Sequence, residues 1–238
     1  MFFSASLYAE TLYSFLNASV NYFDWSKRTA TQTLQRDFTY LELEGGVGWK
    51  WGEFYGYIDI ENPNRDYNEA YPYDLRFALK PIFDIYIKNG FALHIQDFAL
   101  KSKTFYVNNL ITGFSYKYST ANFWFKPFIG IHYQNSSNYN GFNGYMTGWV
   151  FNYDTTIFGE KIKLFQWHEI EFAREKKHYL CDGIPTGDGQ EYGVNGAISL
   201  WWSMTQNFTP GIQYRYADHK LGYATYQDAI IYSLKYYF

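Results

Sequence analysis

The chain ends Ile230-Ile231-Tyr232-Ser233-Leu234-Lys235-Tyr236-Tyr237-Phe238, and the fold can be worked out from these nine residues. Ile230, Tyr232, Leu234, Tyr236 and Phe238 occupy the even positions, all apolar or aromatic, with Ser233 and Lys235 between them. A two-residue repeat gives an extended strand one oily face and one polar face. In water such an aromatic edge would be a template for aggregation. It is tenable where the oily face meets lipid and the first strand pairs with the last to close the sheet.

Composition points the same way. The chain has 238 residues, with 26 Tyr, 22 Phe and 8 Trp, more rings than one core of this size buries. Aromatic girdles at two membrane interfaces give those rings a place. The 24% aromatic content also excludes disorder. Net charge is −3, so no basic footprint suggests a nucleic-acid partner. Mean hydropathy is −0.38, and no apolar run approaches the ~18 residues of a spanning helix. Among structures that span lipid, this leaves the closed barrel. Cys181 is the single cysteine, so no intrachain disulfide forms, and its Gly-rich polar setting reads as an incidental loop thiol. Residues 1–9 fit the tail of a signal peptide cut after Ala9, with the barrel occupying 10–238 as a single domain.

Alternation recurs along the chain. Asn17, Ser19 and Asn21 oppose Leu16, Val20 and Tyr22, and a polar loop follows from Lys27 to Arg36. Leu41, Leu43, Val47 and Trp49 oppose Tyr40, Glu42, Glu44 and Lys50. After a turn at Gly52-Glu53, Phe54, Gly56, Ile58 and Ile60 alternate with Tyr55, Tyr57, Asp59 and Glu61. Asn89-Gly90 is the strongest hairpin signal, joining Phe83–Ile87 to Phe91–Ile95. Further strands are expected at Leu110–Tyr118, Phe123–Tyr133, Tyr145–Phe158, Lys161–Arg174, Glu191–Thr205, Phe208–Tyr216 and Tyr226–Phe238. Long loops are expected at Asn62–Tyr71, Gln134–Gly144 and Glu175–Gln190, with no helix pattern. The expectation is an all-β, closed antiparallel transmembrane barrel of about twelve strands, with tight turns at one end and longer loops at the other. A soluble sandwich or lipocalin-type barrel is the competing architecture. Long strands with Glu42/Glu44, Asp59/Glu61 and Glu169/Glu171 opposite bulky apolar rows favour the membrane.

On that reading the polar faces line a lumen that includes Arg76, Lys80, Lys126, His132, Asp154, Glu169, Glu171, Arg215 and Lys235. A simple ladder of opposed acids and bases accounts for any one of them. A sharper reading rests on Tyr40, Tyr55 and Tyr57 beside Glu42 and Asp59, rings that can stack a flat base near carboxylates that accept from sugar hydroxyls.

Phe38-Thr39-Tyr40-Leu41-Glu42-Leu43-Glu44, followed by Phe54-Tyr55-Gly56-Tyr57-Ile58-Asp59, resembles the Tsx nucleoside-specific channel family of Gram-negative outer membranes. That family carries Thr-Tyr-Leu-Glu-Tyr-Glu running into Phe-Tyr-Gly-Tyr-x-Asp at similar spacing. The aromatic end with its final Phe238 resembles the signal read by the outer-membrane barrel-assembly machinery. The resemblance implies a monomeric twelve-stranded barrel in the cell outer membrane, in contact with lipid and lipopolysaccharide. It would pass nucleosides by facilitated diffusion through a narrow lumen, without a cofactor. It also implies solute contacts at Tyr40, Glu42, Glu44, Tyr55, Tyr57 and Asp59. The loops differ from the family's, which leaves the solute open.

Other readings stay open: a general small porin, a structural or adhesive barrel with a plugged lumen, or an outer-membrane lipid hydrolase. None of His94, His132, His168, His178 and His219 has a serine two residues on, the spacing expected of the outer-membrane phospholipases. His168 falls on the oily face, where a position near the headgroups explains it. Cys and His spacings give no metal site. The expectation is a channel and not an enzyme.

Overall fold

The computed structural model describes residues 10–181, 184–185 and 187–238. The expectation for residues 1–9 lies outside these, and the side chain of Cys181 is likewise outside what is described. Twelve long strands follow one another around a single antiparallel sheet: β1 (Thr11–Trp25), β2 (Phe38–Trp49), β3 (Gly52–Glu61), β4 (Arg76–Lys88), β5 (Phe91–Lys101), β6 (Tyr106–Tyr116), β7 (Phe123–Ser136), β8 (Asn140–Ile157), β9 (Glu160–Phe172), β10 (Gly193–Trp202), β11 (Phe208–Asp218) and β12 (Gln227–Tyr237). Tyr118–Ser119 adds a two-residue pairing beside β7. The ring closes where β1 pairs β12, from Asn17↔Tyr237 to Trp25↔Ala229. Every long strand therefore has two partners, and no ladder edge faces lipid.

Exposure settles which face looks outward. Leu41, Leu43, Ile58, Leu79, Ile95, Ile131, Leu200 and Leu234 are exposed, whereas Asn17, Asn21, His94, Gln96, His132 and Glu171 are at most 2% exposed. A soluble barrel would show the reverse. Along β12, Tyr232, Leu234, Tyr236 and Phe238 point out, while Ile231 and Ser233 are buried inside. The outer aromatic residues gather near the strand ends. Trp49 stacks on Trp51 at 5.1 Å, and Tyr236 meets Phe208 at 5.1 Å and Phe238 at 5.4 Å. Tyr145, Phe142 and Phe172 cluster near the other rim. His168 lies outward as expected, with Nδ1 2.7 Å from the Tyr216 hydroxyl and its ring 4.3 Å from Trp149.

Tight connections follow β2, β4 and β8, and the 117–122 and 203–207 connections share their end with Phe238. At Asn89-Gly90 both residues take positive φ, 52° and 85°, the type I′ geometry that matches strand twist. The opposite rim carries the longer segments 26–37, 62–75, 173–192 and 219–226. Two differences from the sequence reading stand out. Residues 134–144 are no long loop: β7 and β8 run into them and turn at 137–139, because Gln134, Ser136 and Asn143 are polar residues of the inward row. Two short helices, Lys27–Gln32 and Lys176–Tyr179, are too brief to leave a period; the first is capped by Ser26, whose Oγ accepts from Thr29 N.

Candidate functional site

All six residues singled out in the sequence face the lumen from β2 and β3. Register pairs Glu42 with Asp59, Glu44 with Tyr57 and Tyr40 with Glu61. Gly45↔Gly56 ends the charged stretch, so carboxylates and rings form one panel. Glu44 is fully engaged: Tyr55 OH donates to it at 2.7 Å, Asn17 Nδ2 at 3.0 Å, and Lys235 reaches it from β12. Glu42 accepts from Ser19 at 3.4 Å and lies 3.8 Å from Lys235. One lysine thus balances two glutamates, and two carboxylates directly opposite one another repel. Asp59 Oδ1 is buried without a partner, and among the described residues the Tyr40 and Tyr57 hydroxyls make no hydrogen bond. These three groups are what the panel leaves for a solute.

The opposite wall was not anticipated as a site. Arg215 on β11 lays its guanidinium 4.7 Å from the Trp167 ring and, among the described residues, donates only to the carbonyls of Gly196 and Tyr216, at 2.9 and 2.7 Å. It stands close enough to Tyr40 and Tyr57 to act on both electrostatically. Between the walls, Lys80 of β4 reaches Glu169 of β9 at 2.6 Å, and Gln96 donates to the same oxygen at 2.8 Å. Four strands separate β4 from β9 one way round and six the other, so this pair crosses the lumen. It spans the bore at that level.

Toward the tight-turn end, Lys126 of β7 bridges Glu53 and Asp84 at 2.8 and 2.7 Å, and Tyr13 and Tyr86 donate to Glu53. His94 and Ser115 both bond to Asp84, at 2.8 and 2.6 Å. Among the described residues the serine and histidine both bond to the carboxylate and not to each other. This knot lies in the lumen beside β3, β4 and β7. Along β9–β12 at the same end lies a cavity of about 660 Å³, lined by residues that include Glu160, Lys161, Lys163, Trp201, Thr209 and Tyr237.

At the loop rim, Arg174 is fully buried, ion-paired to Glu171 at 2.6 Å and hydrogen-bonded to the carbonyls of Tyr192 and His219. Lys220 pairs with the other Glu171 oxygen. Arg174 and Tyr192, at the two ends of the 173–192 connection, are thereby tied to His219 and, through Glu171, to Lys220. Within it, burial beside Arg174 and His132 lowers the His178 pKa to about 4, and the imidazole edge meets Tyr139 at 5.5 Å.

Parity would have found the missed wall. Trp167 and Phe165 share the inward row of β9 with Glu169 and Glu171, which the sequence reading had already placed inside. Trp124 meets Phe165 edge-on at 6.3 Å, extending the inward aromatic surface across from β9 to β7.

A family model described as "nucleoside-specific channel-forming protein, Tsx" matches residues 20–238. Among solved structures, the NanC porin is similar with a TM-score of 0.55 at 11% identity, covering 92% of this chain and 98% of that one. The KdgM porin with disordered oligogalacturonate has a TM-score of 0.48 at 9% identity, covering 92% of this chain and 99% of that one. The first likeness speaks to the fold alone, and the second is too weak to carry an argument.

Proposed function

We propose, from the premise that the chain belongs to the Tsx family of nucleoside-specific channel-forming proteins, that nucleosides pass between the Tyr40–Tyr57–Asp59 panel and the Trp167–Arg215 wall. The protein is an outer-membrane channel for small solutes. The observation that carries the nucleoside reading is the unpartnered Asp59 Oδ1 beside two free tyrosine hydroxyls. A buried acceptor without a donor is costly, and a ribose hydroxyl supplies one. The rings offer the base a stacking surface, and Arg215 over Trp167 closes the slot from the far side.

Passage needs no energy source. A solute exchanges water for these groups and moves on, which requires contacts firm enough to admit it and loose enough to release it. The Lys80–Glu169 pair is the gatepost. If it sealed the lumen, the barrel would be the plugged structural one, and that reading is separated by conduction. In a planar bilayer the purified protein conducts, and adenosine reduces the current in a concentration-dependent way. Asp59→Asn weakens that block while the shift in gel mobility between unboiled and boiled protein stays intact. Current that adenosine leaves untouched would assign a general porin; no current would assign the plugged barrel.

Phe238 is 73% exposed on the outer face, where barrel-assembly machinery can read it. The barrel acts as a monomer in lipid and lipopolysaccharide. Deleting Phe238 should slow insertion in cells while leaving detergent refolding unchanged; equal loss of both would make it purely structural.

A further inference from the structure

The lumen is polarised across its width. Glu42, Glu44, Asp59 and Glu61 line the β2–β3 side, with Lys235 beside Glu42 and Glu44 and Arg76 paired to Glu61 at 2.9 Å. Three cations across from them lack a carboxylate partner. Among the described residues, Lys161 and Lys163 form no ion pair, and Arg215 meets only carbonyls and a ring. Asp154 is the register partner of Lys163 but accepts instead from Asn152 Nδ2 at 2.6 Å. Both lysines open on the cavity of about 660 Å³ at the tight-turn end, where the one lining carboxylate, Glu160, accepts from Trp202 Nε1 at 2.8 Å.

Above them the same inward row of β9 continues as Phe165 and Trp167, each rung ~6.6 Å beyond the last. Trp201 stands beside Lys163 in register on β10. Rings lie deeper and cations nearer the mouth, so one solute can satisfy both when a flat ring and an anionic group sit at its two ends.

We propose that this mouth is a binding site for ring-bearing phosphate anions, nucleoside monophosphates being the class that fits, held with the phosphate on Lys161 and Lys163 and the base toward Phe165 and Trp167. Ammonium groups on phosphate act as point charges, and low-dielectric walls strengthen their attraction. The inference deepens the nucleoside reading and rests on it for the base, but the phosphate end stands on residues that reading does not use.

The test compares adenosine with adenosine 5′-monophosphate as blockers of single channels at low salt, each added to one side and then the other. The expected result is that the monophosphate blocks roughly tenfold more strongly from the tight-turn side, and that the advantage shrinks as salt rises past 0.1 M, where screening reaches ~10 Å. K161Q/K163Q should abolish the advantage and leave adenosine block unchanged, and K161R/K163R should keep it. Monophosphate block no stronger than adenosine block from either side overturns the proposal, as does an advantage that survives K161Q/K163Q. Adenosine block without a monophosphate advantage sinks this inference alone; monophosphate block without adenosine block sinks the nucleoside reading and leaves the anion site. Gel mobility of unboiled protein confirms that each variant has folded.

Discussion

Asp59 is held opposite Glu42 with one oxygen unpartnered, while Glu44 one step along is saturated by Tyr55, Asn17 and Lys235. The panel therefore divides labour between a carboxylate saturated by donors and one with a single open oxygen. Glu44→Gln should lower resistance to unfolding, because it leaves Lys235 without its nearest countercharge; ~3–5 kcal/mol is the usual cost when a buried pair loses one member. Asp59→Asn should change the urea midpoint little and reduce adenosine block severalfold. Urea unfolding in detergent, set beside bilayer block, separates the two roles. The six lumen residues were legible because two-residue alternation fixes the face of every residue once one row is assigned. Their division of labour was not, since Asn17 and Lys235 lie 27 and 191 residues from Glu44 in sequence.

The strands were read well where outward residues are aliphatic and poorly where both rows turn polar. Residues 134–144 show why: Gln134 accepts from Asn143 across a hairpin, and polarity that builds a lumen looks like polarity that builds a loop. The Asn89-Gly90 hairpin was plain because both residues sit at positive φ, which few others tolerate. Gly90→Ala should cost about 1–2 kcal/mol in urea unfolding, from left-handed strain and a new Cβ 2.7 Å from the Lys117 carbonyl. The 173–192 segment has its own pH dependence. His178 titrates at about 4, below its ordinary 6.5, so the packing it supports is fully present above pH 6.5 and fades as pH falls toward 4. Protease nicking of this segment in folded barrels should rise between pH 7 and pH 5, and His178→Phe should flatten the rise; nicking that ignores pH in the parent protein contradicts the assignment.

As a whole the molecule is an inside-out barrel, with an oily coat, a charged bore and two rims built differently. Fold and face were readable from one sequence because a lipid coat imposes the same alternation on twelve strands at once, whereas the family was readable only through the likeness of Phe38–Glu44 and Phe54–Asp59 to its motif. The bore's cross-connections were not, because Lys80 and Glu169 are 89 positions apart and meet only when the ring closes. K80M/E169M should raise single-channel conductance while keeping the barrel folded, and unchanged conductance would show that this pair does not limit the current. That contact has a mechanical consequence as well. A cylinder held only around its circumference flexes freely into an ellipse, whereas one with a strut across its diameter stiffens along that axis. Cutting the strut should leave a noisier open-channel current, with the wall's slow ovalling written directly into the trace.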